Sequence, residues 1–332
     1  MPPTEPPSAH AFAGRTCVVT GGLGFIGSNV AHRLVQAGAT VRVIDALVPE
    51  HGGDVRNVDG LDLDVVVAPI GDERTAPAMR AADFVFNLAG QVSHTASMRD
   101  PAADLHWNAV THARLLELAR AECPRARIVH TSTRQVYGRA LRAPVDEAHP
   151  THPVDVNGAS KLAGEQLHLV YAQAYGMPIT SLRLTNVYGP RQRLSSNDLG
   201  FLPVFIRMAL RGETIELFGD GSQRRDCLFI DDVVDAVLAA TDERVIGRVL
   251  NVGNDLDHSL ADIARVIIEA TGGASEVRCR EWPAENRRID IGSFRSDNRA
   301  IAAAIGWHPV TSLDDGMRRT ADFYRAHPWY LS

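Results

Sequence analysis

The chain has very little lysine: Lys161 is the one lysine among 34 basic residues. It also lacks closely spaced cysteines, since Cys17, Cys123, Cys227 and Cys279 lie far apart and form no Cys-x-x-Cys pair. This spacing argues against a cysteine metal centre or a disulfide framework. We therefore predict no metal site and expect a reducing, cytoplasmic environment.

Charge of one sign is not in large excess either, because the net charge is -6 over 332 residues. The chain therefore has no positive field for nucleic acid or for an anionic membrane surface. No apolar run approaches the ~20 residues that cross a bilayer. Arginine pairs such as Arg224-Arg225 and Arg287-Arg288 could still bind phosphates. Residues 1–13, which are rich in proline and lack an apolar core segment, are predicted to be a disordered lead.

Apolar runs alternate with amphipathic stretches in the first half of the chain. Runs typical of buried strands occur at residues 17–20, 40–44, 65–67, 84–88, 127–131 and 179–184. Helical periodicity covers residues 25–36, 102–121 and 156–175. Strands that alternate with helices predict an α/β fold with a doubly wound parallel sheet.

The pattern changes after Asn186. Helical stretches at 201–210, 231–240, 260–271 and 313–325 are separated by loops that carry arginine and glycine. We therefore divide the chain into a doubly wound domain, residues 14–185, and a smaller substrate-binding domain, residues 186–332. Some segments of the second domain are expected to return to the sheet.

A glycine-rich turn lies between the first predicted strand and the first predicted helix. Its sequence, Thr20-Gly21-Gly22-Leu23-Gly24-Phe25-Ile26-Gly27, has the spacing G-x-x-G-x-x-G. Glycines allow a tight turn and close backbone approach, while the helix N-terminus offers N–H groups and a positive dipole to a pyrophosphate. In this strand–turn–helix context the pattern predicts a dinucleotide site that includes Gly21, Gly24, Phe25, Ile26 and Gly27.

Two aspartates extend this predicted site. Asp45 ends the second predicted strand, where a carboxylate accepts hydrogen bonds from the adenosine ribose and repels a 2′-phosphate. NAD is therefore favoured as the cofactor, although Arg42 on the same strand keeps NADP open. Asp72, after the third strand, is a candidate adenine contact, with a plain surface turn as the alternative.

Further motifs follow in a recognisable order. They are Asn87-Leu88-Ala89-Gly90, Thr131-Ser132-Thr133-Arg134-Gln135-Val136-Tyr137-Gly138, Ser160-Lys161, Arg183-Leu184-Thr185-Asn186-Val187-Tyr188-Gly189-Pro190-Arg191, and Arg225-Asp226 before Phe229-Ile230-Asp231-Asp232-Val233. With these motifs the chain resembles, over nearly its whole length, the extended short-chain dehydrogenases, the nucleotide-sugar epimerase and dehydratase family. The resemblance implies an NAD(P)-dependent oxidoreductase with a Rossmann domain, a small C-terminal domain and an active site between them.

The resemblance also assigns residues to the site. Leu88 and Ala89 would border the cofactor, and the Thr133 hydroxyl would bond the reacting sugar oxygen. The grip on the nucleotide diphosphate maps to Asn186, Arg225 and the Arg287-Arg288 region; solvated surface is the alternative for these arginines. The expected partners are a sugar or nucleotide-sugar substrate and a second copy of the chain, bound through the helices at 102–121 and 156–175.

Two departures from the family pattern narrow the chemistry. Relatives that remove water from C5–C6 of a sugar carry Thr-Asp-Glu where this chain has Thr133-Arg134-Gln135, and arginine and glutamine supply neither the acid nor the base of that elimination. The family's Tyr-x-x-x-Lys signature keeps Lys161, which would bind the nicotinamide ribose, but has Asn157 in place of the tyrosine. An amide has no titrating O–H, so Asn157 cannot be the general acid or base.

Another group must then move the proton. His94 follows the fourth predicted strand, in a loop that lines the family's sugar pocket, and histidine titrates near neutrality. A loop histidine bonded to the backbone is the alternative. Lys161 could be the acid if it is desolvated. His149 and His152 are more remote candidates, and Asn157 could hold a water or a substrate hydroxyl.

These departures favour reduction over oxidation. Reducing a ketone needs hydride and a proton donor, whereas oxidising an alcohol also needs a base. We therefore expect a keto-sugar reductase, with a nucleotide-sugar 4-epimerase that holds NAD tightly as the alternative. A 4,6-dehydratase is disfavoured. A non-catalytic dinucleotide-binding protein is the remote alternative, and the retained Lys161 argues against it.

Overall fold

The computed structural model describes residues 11–49, 51–195, 200–283 and 287–331. The predicted lead falls mostly on residues 1–10, which lie outside the described residues. For residues 11–13 the prediction of disorder is wrong. Phe12 is 1% exposed, and its ring packs edge-on against that of Phe84 with 5.1 Å between centroids. One buried aromatic ring is sufficient to anchor this short segment to the sheet.

Thirteen strands lie within the described residues. They are β1 (Thr16–Thr20), β2 (Thr40–Asp45), β3 (Asp64–Val67), β4 (Phe84–Asn87), β5 (Arg127–Thr133), β6 (Ile179–Leu184), β7 (Asn186–Tyr188), β8 (Ile215–Phe218), β9 (Arg224–Arg225), β10 (Cys227–Phe229), β11 (Val249–Val252), β12 (His258–Ser259) and β13 (Val277–Arg280). Seven of them form one sheet in the order β3-β2-β1-β4-β5-β6-β11, with every pair parallel. The predicted α/β fold with a doubly wound parallel sheet is confirmed.

Helices cover both faces of this sheet. They are α1 (Phe25–Gln36), α2 (Ala76–Met79), α3 (His94–Arg99), α4 (Pro101–Leu105), α5 (Thr111–Glu122), α6 (Val156–Tyr175), α7 (Phe201–Leu210), α8 (Ile230–Ala239), α9 (Leu260–Thr271), α10 (Arg299–Ile305) and α11 (Leu313–Ala326). Side chains of Asp155, Ser259 and Ser312 cap the N-termini of α6, α9 and α11 by accepting from backbone N–H groups. A π turn, His106–Val110, joins α4 to α5, so the helix predicted at 102–121 is interrupted.

The core lies on both faces of the sheet because successive strand residues point in opposite directions. In β1, Val19 belongs to the larger buried cluster and Val18 to the cluster on the other face. In β2, Val43 and Ile44 divide in the same way. Strands that are buried on both faces have nearly continuous apolar sequences, and this is why the strands of the main sheet could be recognised in the sequence.

The second half of the chain adds three small two-stranded sheets, β7 with β10, β8 with β13, and β9 with β12. β11 instead returns to the main sheet beside β6. Within the described residues no helix is long and apolar enough to cross a membrane. The order of the main sheet reverses between β1 and β4, and in such sheets ligands bind at this point, beyond the carboxyl ends of the strands.

Candidate active site

A cavity of about 330 Å³ lies at the carboxyl ends of the central strands. The turn after β1 and the end of β2 line one part of it, and the segments that follow β4, β5 and β6 line another. The strand order therefore places the glycine-rich turn and the motifs expected to bind the sugar on opposite sides of the reversal between β1 and β4.

The glycine-rich turn forms a cradle that side chains would fill. A Cβ at Gly21 would lie 2.8 Å from the Ala89 Cα, and one at Gly27 would lie 2.1 Å from the Gly21 carbonyl oxygen. Gly21 also has φ of 65°, which disfavours other residues. No side chain caps α1 at Gly24, so the first-turn N–H groups of Phe25 and its neighbours are left for a ligand. This part of the cavity fits the diphosphate of a dinucleotide.

Asp45 lies at the end of β2 and lines the cavity. Its two carboxylate oxygens accept from the backbone N–H groups of Leu23, at 3.1 Å, and Leu47, at 2.9 Å. Burial raises the pKa of this carboxyl group. Each oxygen retains a lone pair, so the oriented carboxylate can still accept from a ribose diol.

The other charged residues predicted near the adenosine end have local partners. Arg42 donates to the carbonyl oxygens of Ala78 and Arg80, both at 3.1 Å. Asp72 caps a short 3₁₀ turn and pairs with Arg74 at 2.8 Å. Neither Arg42 nor Asp72 is among the described residues that line the cavity. Asp72 stays away from it because its carboxylate is held by its own turn.

Asn157, in the first turn of α6, is 1% exposed. Its Nδ2 donates to the Gln91 carbonyl oxygen at 3.1 Å, to Gln91 Oε1 at 2.9 Å and to Asp104 Oδ2 at 3.1 Å. An amide nitrogen has two hydrogens, so protein groups use its full donor capacity. Asn157 borders the cavity but acts as an anchor between the loop after β4 and α4.

Behind Asn157 lies a buried polar network that the sequence did not indicate. The other oxygen of Asp104 accepts from the Ser160 hydroxyl and from Asn108 Nδ2, the latter at 3.2 Å. Asn108 belongs to the π turn, and its Oδ1 accepts from the Gln91 N–H at 2.9 Å. Gln91, Asp104, Asn108, Asn157 and Ser160 thus hold the loop, the π turn and α6 together.

Lys161 is held beside this network. Burial lowers the pKa of its ammonium group to about 8, and the Asp104 charge acts in the opposite direction. A Cβ at Gly90 would lie 3.1 Å from Lys161 Nζ, so Gly90 leaves room for the ammonium group. Lys161 lines the cavity as predicted, next to Leu88, Ala89 and Gly90.

His94 and Asp155 form a pair at the cavity. His94 Nδ1 lies 2.7 Å from Asp155 Oδ2, and His94 Nε2 lies 3.0 Å from Gln135 Nε2. An amide nitrogen can only donate, so His94 Nε2 carries the lone pair and Nδ1–H donates to the carboxylate. Asp155 is oriented in turn by the Gly158 N–H, which donates to its Oδ1 at 2.7 Å. The arrangement is that of an oriented general base.

Two of the predicted substrate residues join His94 at the cavity. Thr133 ends β5, and its hydroxyl oxygen accepts from the Gln135 N–H at 3.3 Å. Asn186 begins β7; its Nδ2 donates to the Asp226 carbonyl oxygen at 3.0 Å, and its Oδ1 accepts from Arg134 Nη2 at 2.9 Å. Arg134 lines the cavity between them.

The three predicted substrate arginines lie elsewhere. Arg225 is 6% exposed, donates to the carbonyl oxygens of Arg224 and Gly292, and pairs with Asp290 at 3.3 Å. Arg287 and Arg288 are exposed. None of these three predicted arginines appears among the described residues that line the cavity.

The remote proton-donor candidates also lie away from the described cavity wall. His149 is bonded to its own loop, where its Nε2 accepts from the Leu141 N–H at 3.0 Å and its Nδ1 donates to the Pro150 carbonyl oxygen at 2.7 Å. His152 is exposed. Only His94, of the three histidines considered, is placed to reach a bound sugar.

Comparisons with known proteins identify the family of this chain. The profile of the NAD dependent epimerase/dehydratase family matches residues 17–253. A UDP-glucose 4-epimerase of Mycolicibacterium smegmatis is 33% identical over 312 residues, which cover 93% of this chain and 98% of that protein. The structure of the UDP-glucose 4-epimerase of Thermotoga maritima with UDP-glucose superposes with a TM-score of 0.86 at 31% identity, covering 94% and 99% of the two chains. That of the Thermus thermophilus UDP-glucose 4-epimerase with NAD gives 0.83 at 30% identity, covering 93% and 98%. The resemblance seen in the motifs is confirmed.

Proposed function

Because this chain belongs to the NAD dependent epimerase/dehydratase family, we propose that it is a nucleotide-sugar 4-epimerase in which His94 replaces the missing tyrosine. The observation that carries the proposal is the His94–Asp155 pair at the cavity, on the same wall as Asn157 and Lys161. NAD, when bound, supplies the hydride acceptor for the sugar carbon. The protein residues must supply the proton chemistry.

His94 has the arrangement needed for both proton transfers. Its Nε2 lone pair can take the proton of a sugar hydroxyl that displaces the Gln135 amide. Asp155, bonded to Nδ1, stabilises the imidazolium ion that forms and fixes the ring orientation. The same imidazolium ion can return the proton when the ketone is reduced from the other face.

This base removes the reason for expecting a reductase. That expectation depended on the lack of any group able to deprotonate an alcohol once the tyrosine was missing. With His94 placed as a base, oxidation and reduction can occur in one site, as a 4-epimerase requires. The relatives named above as UDP-glucose 4-epimerases support the same choice. Dehydration stays disfavoured because Arg134 and Gln135, which line the cavity after Thr133, supply neither the acid nor the base of that elimination.

In this proposal Lys161 binds the cofactor, and the polar network beside it holds the lysine in its protonated form. Its ammonium group can donate to the nicotinamide ribose hydroxyls, and the positive charge favours deprotonation of a nearby substrate hydroxyl. Asn157 contributes indirectly because it holds Asp104, whose charge favours the protonated form of Lys161. The asparagine thus replaces the tyrosine as a positioning residue rather than as an acid.

The first test is product formation without added cofactor. Purified protein is incubated with UDP-glucose, UDP-N-acetylglucosamine or UDP-glucuronate, and the C4 epimer is measured. The cofactor released on denaturation is identified by mass spectrometry. We expect retained NAD and epimer formation. We expect His94→Ala to lower the rate by about 10²–10⁴-fold, the usual contribution of a positioned acid–base.

His152→Ala is the matched control, because His152 is exposed and away from the described cavity wall. Its rate should equal that of the unaltered protein. An active His94→Ala variant would rule out the proposed base. Stoichiometric oxidation of added NADH without epimer formation would restore the reductase, and absence of any turnover would favour a binding protein.

The proposed assembly is a homodimer formed through the helical segments at 102–121 and 156–175. These helices expose large apolar side chains, with Leu105 47%, Val110 40%, Val170 52% and Tyr175 55% accessible. Exposed large apolar side chains on two helical segments are the observation that supports this assembly. Sedimentation should give a dimer that Val170→Lys dissociates. A strict monomer at all concentrations would contradict the proposal.

A further inference from the structure

Arg134 has an unusual environment for a cavity-lining arginine. Its Nη2 donates to Asn186 Oδ1 at 2.9 Å, but its Nη1 is shielded from solvent and has no hydrogen-bond partner in the part of the chain that the structure describes. A donor on a charged group that loses water without gaining a partner costs free energy. Arg134 forms part of the cavity wall, so a bound molecule can contact its guanidinium group.

The guanidinium group also lacks a contacting carboxylate among the described residues. The two carboxylates whose charges act on Arg134 have other partners. Asp226 accepts from the Thr185 hydroxyl and from the Ser296 N–H, and Asp290 pairs with Arg225. Burial lowers the pKa of Arg134 to about 10, and Arg225 acts in the same direction. The cation is therefore only partly compensated by the protein.

Arg134 is nevertheless held in place. The Asn186 amide is fixed at both ends, by the Asp226 carbonyl oxygen and by Arg134 itself. The guanidinium carbon lies 5.4 Å from the centre of the Phe294 ring, within range of a cation–π contact. Asn186, predicted to contact the ligand directly, instead holds the guanidinium group of Arg134.

The wall around Arg134 has further unpaired polar atoms. Gln135 Oε1 and Ser132 Oγ are shielded and have no partner among the described residues, and both residues line the cavity. Together with Arg134 Nη1, they flank Thr133 on the segment that ends β5. Such a concentration of unmet hydrogen-bonding capacity indicates a polar, charged ligand group at this position.

We propose that Arg134 binds a carboxylate at C6 of the sugar, so that the substrate is a nucleotide-linked hexuronic acid rather than a neutral hexose. The inference depends on the proposed function, because it names the substrate class of the same site. If Thr133 contacts the reacting oxygen at C4, its neighbour Arg134 faces the adjacent ring substituents. Of these, C6 alone can be a carboxylate, and the diphosphate at C1 lies across the ring.

The chemistry of the two groups matches. A guanidinium group presents two parallel N–H donors that fit the two oxygens of a carboxylate, and such charged pairs are stronger than neutral hydrogen bonds. A C6 hydroxyl could accept one hydrogen bond but would leave the positive charge uncompensated. Selection against neutral hexoses follows from that difference.

The test is equilibrium binding to the NAD-loaded protein, measured by calorimetry with UDP, UDP-glucose and UDP-glucuronate. The unaltered protein should bind UDP-glucuronate at least about tenfold more tightly than UDP-glucose, as expected for a charged pair. Arg134→Met keeps much of the side-chain volume. It should weaken UDP-glucuronate binding about 10–100-fold, weaken UDP-glucose binding less, and leave the binding of UDP unchanged. Arg134→Lys should retain part of the preference.

Arg265→Met, on the exposed face of α9, is the matched control and should retain all three affinities. Arg134→Met removes a cation that has no carboxylate contact, so its unfolding midpoint should show that it remains folded. Equal weakening of all three ligands would assign Arg134 to the diphosphate and overturn the inference. Equal affinity of the unaltered protein for UDP-glucose and UDP-glucuronate would also overturn it.

Failure of this inference can be distinguished from failure of the proposed function. Binding requires no turnover, so the loss of carboxylate affinity in Arg134→Met stands even if no C4 epimer forms from UDP-glucuronate. Conversely, epimer formation from UDP-glucose without a carboxylate preference would refute the role of Arg134 and leave His94 unaffected.

Discussion

Three buried histidines make the stability of this protein strongly dependent on pH. His112, His130 and His168 are at most 2% exposed, and their ring nitrogens lie within 4.8 Å of one another. Asn87 Nδ2 donates to His112 Nδ1 at 3.2 Å and to His168 Nε2 at 3.0 Å, so these nitrogens carry lone pairs. Burial lowers the pKa of all three rings, to about 4 for His168.

The sign of the pH effect follows from these lowered pKa values. In the unfolded chain each histidine takes up a proton near pH 6.5, whereas the folded cluster stays neutral. The unfolded state therefore binds more protons below pH 6.5, and stability falls as pH falls. The full slope of about 1.4 kcal/mol per pH unit and ring is reached only below pH 6.5. Each ring therefore removes about 1.4 kcal/mol between pH 7.5 and pH 5.5, and the three rings together remove about 4 kcal/mol. That is a large part of the ~5–15 kcal/mol by which domains are folded.

Urea unfolding at pH 7.5 and pH 5.5 measures this effect. His130→Gln removes one titrating ring, whose Nδ1 is hydrogen-bonded to the Ser181 hydroxyl, and should reduce the pH-dependent loss of stability by about one third. The exposed His152→Gln should leave it unchanged. Buried carboxyl groups with raised pKa, such as Asp226, oppose the trend but contribute equally to each variant. A His130→Gln variant with the full pH dependence would refute the reasoning.

Three further outcomes are expected. Asn157→Ala should lower the free energy of unfolding by about 1–3 kcal/mol, because acceptors on Gln91 and Asp104 lose their buried donor; chemical denaturation measures it. NAD affinity should fall as pH rises through about 8, where Lys161 loses its proton, and Lys161→Met should abolish that dependence in a binding titration. Asp45→Asn should narrow the preference for NAD over NADP at least about tenfold, because like charges in contact cost several kcal/mol.

The main sheet and the cofactor turn could be predicted because their signals are local. Strands buried on both faces give continuous apolar runs, and the strand at 179–184 and the helix at 156–175 have the bounds that the sequence indicated. The π turn at 106–110 could not be predicted in the same way. One extra residue in a helical turn leaves no periodic signal, and Asn108 there is held by contacts with distant residues.

The site was predicted less completely, since its bonds join distant parts of the chain. Asp155 had a local signal, because an aspartate before a helical stretch is a typical N-cap. Its bond to His94, 61 residues away, had none. Motif position likewise assigned Arg225 to the ligand, but Asp290, 65 residues later, binds its guanidinium group instead. A motif gives the place of a residue in the chain, whereas tertiary partners decide where its side chain points.

The retention of a single lysine follows from the same physical reasoning. The position needs a compact cation beside Gly90 that can be desolvated and still lie close to neutrality, and the pKa of Lys161 is lowered to about 8 there. Arginine would remain charged and would present a planar fork too large for that space. Asn157 keeps Asp104 in place, and the charge of Asp104 favours the protonated form of Lys161. The amide therefore helps to keep the lysine positively charged, although it cannot transfer a proton as the family's tyrosine does. In the proposed epimerase, proton transfer then requires a separate residue, and we assign that role to His94, which is paired with Asp155 at the cavity.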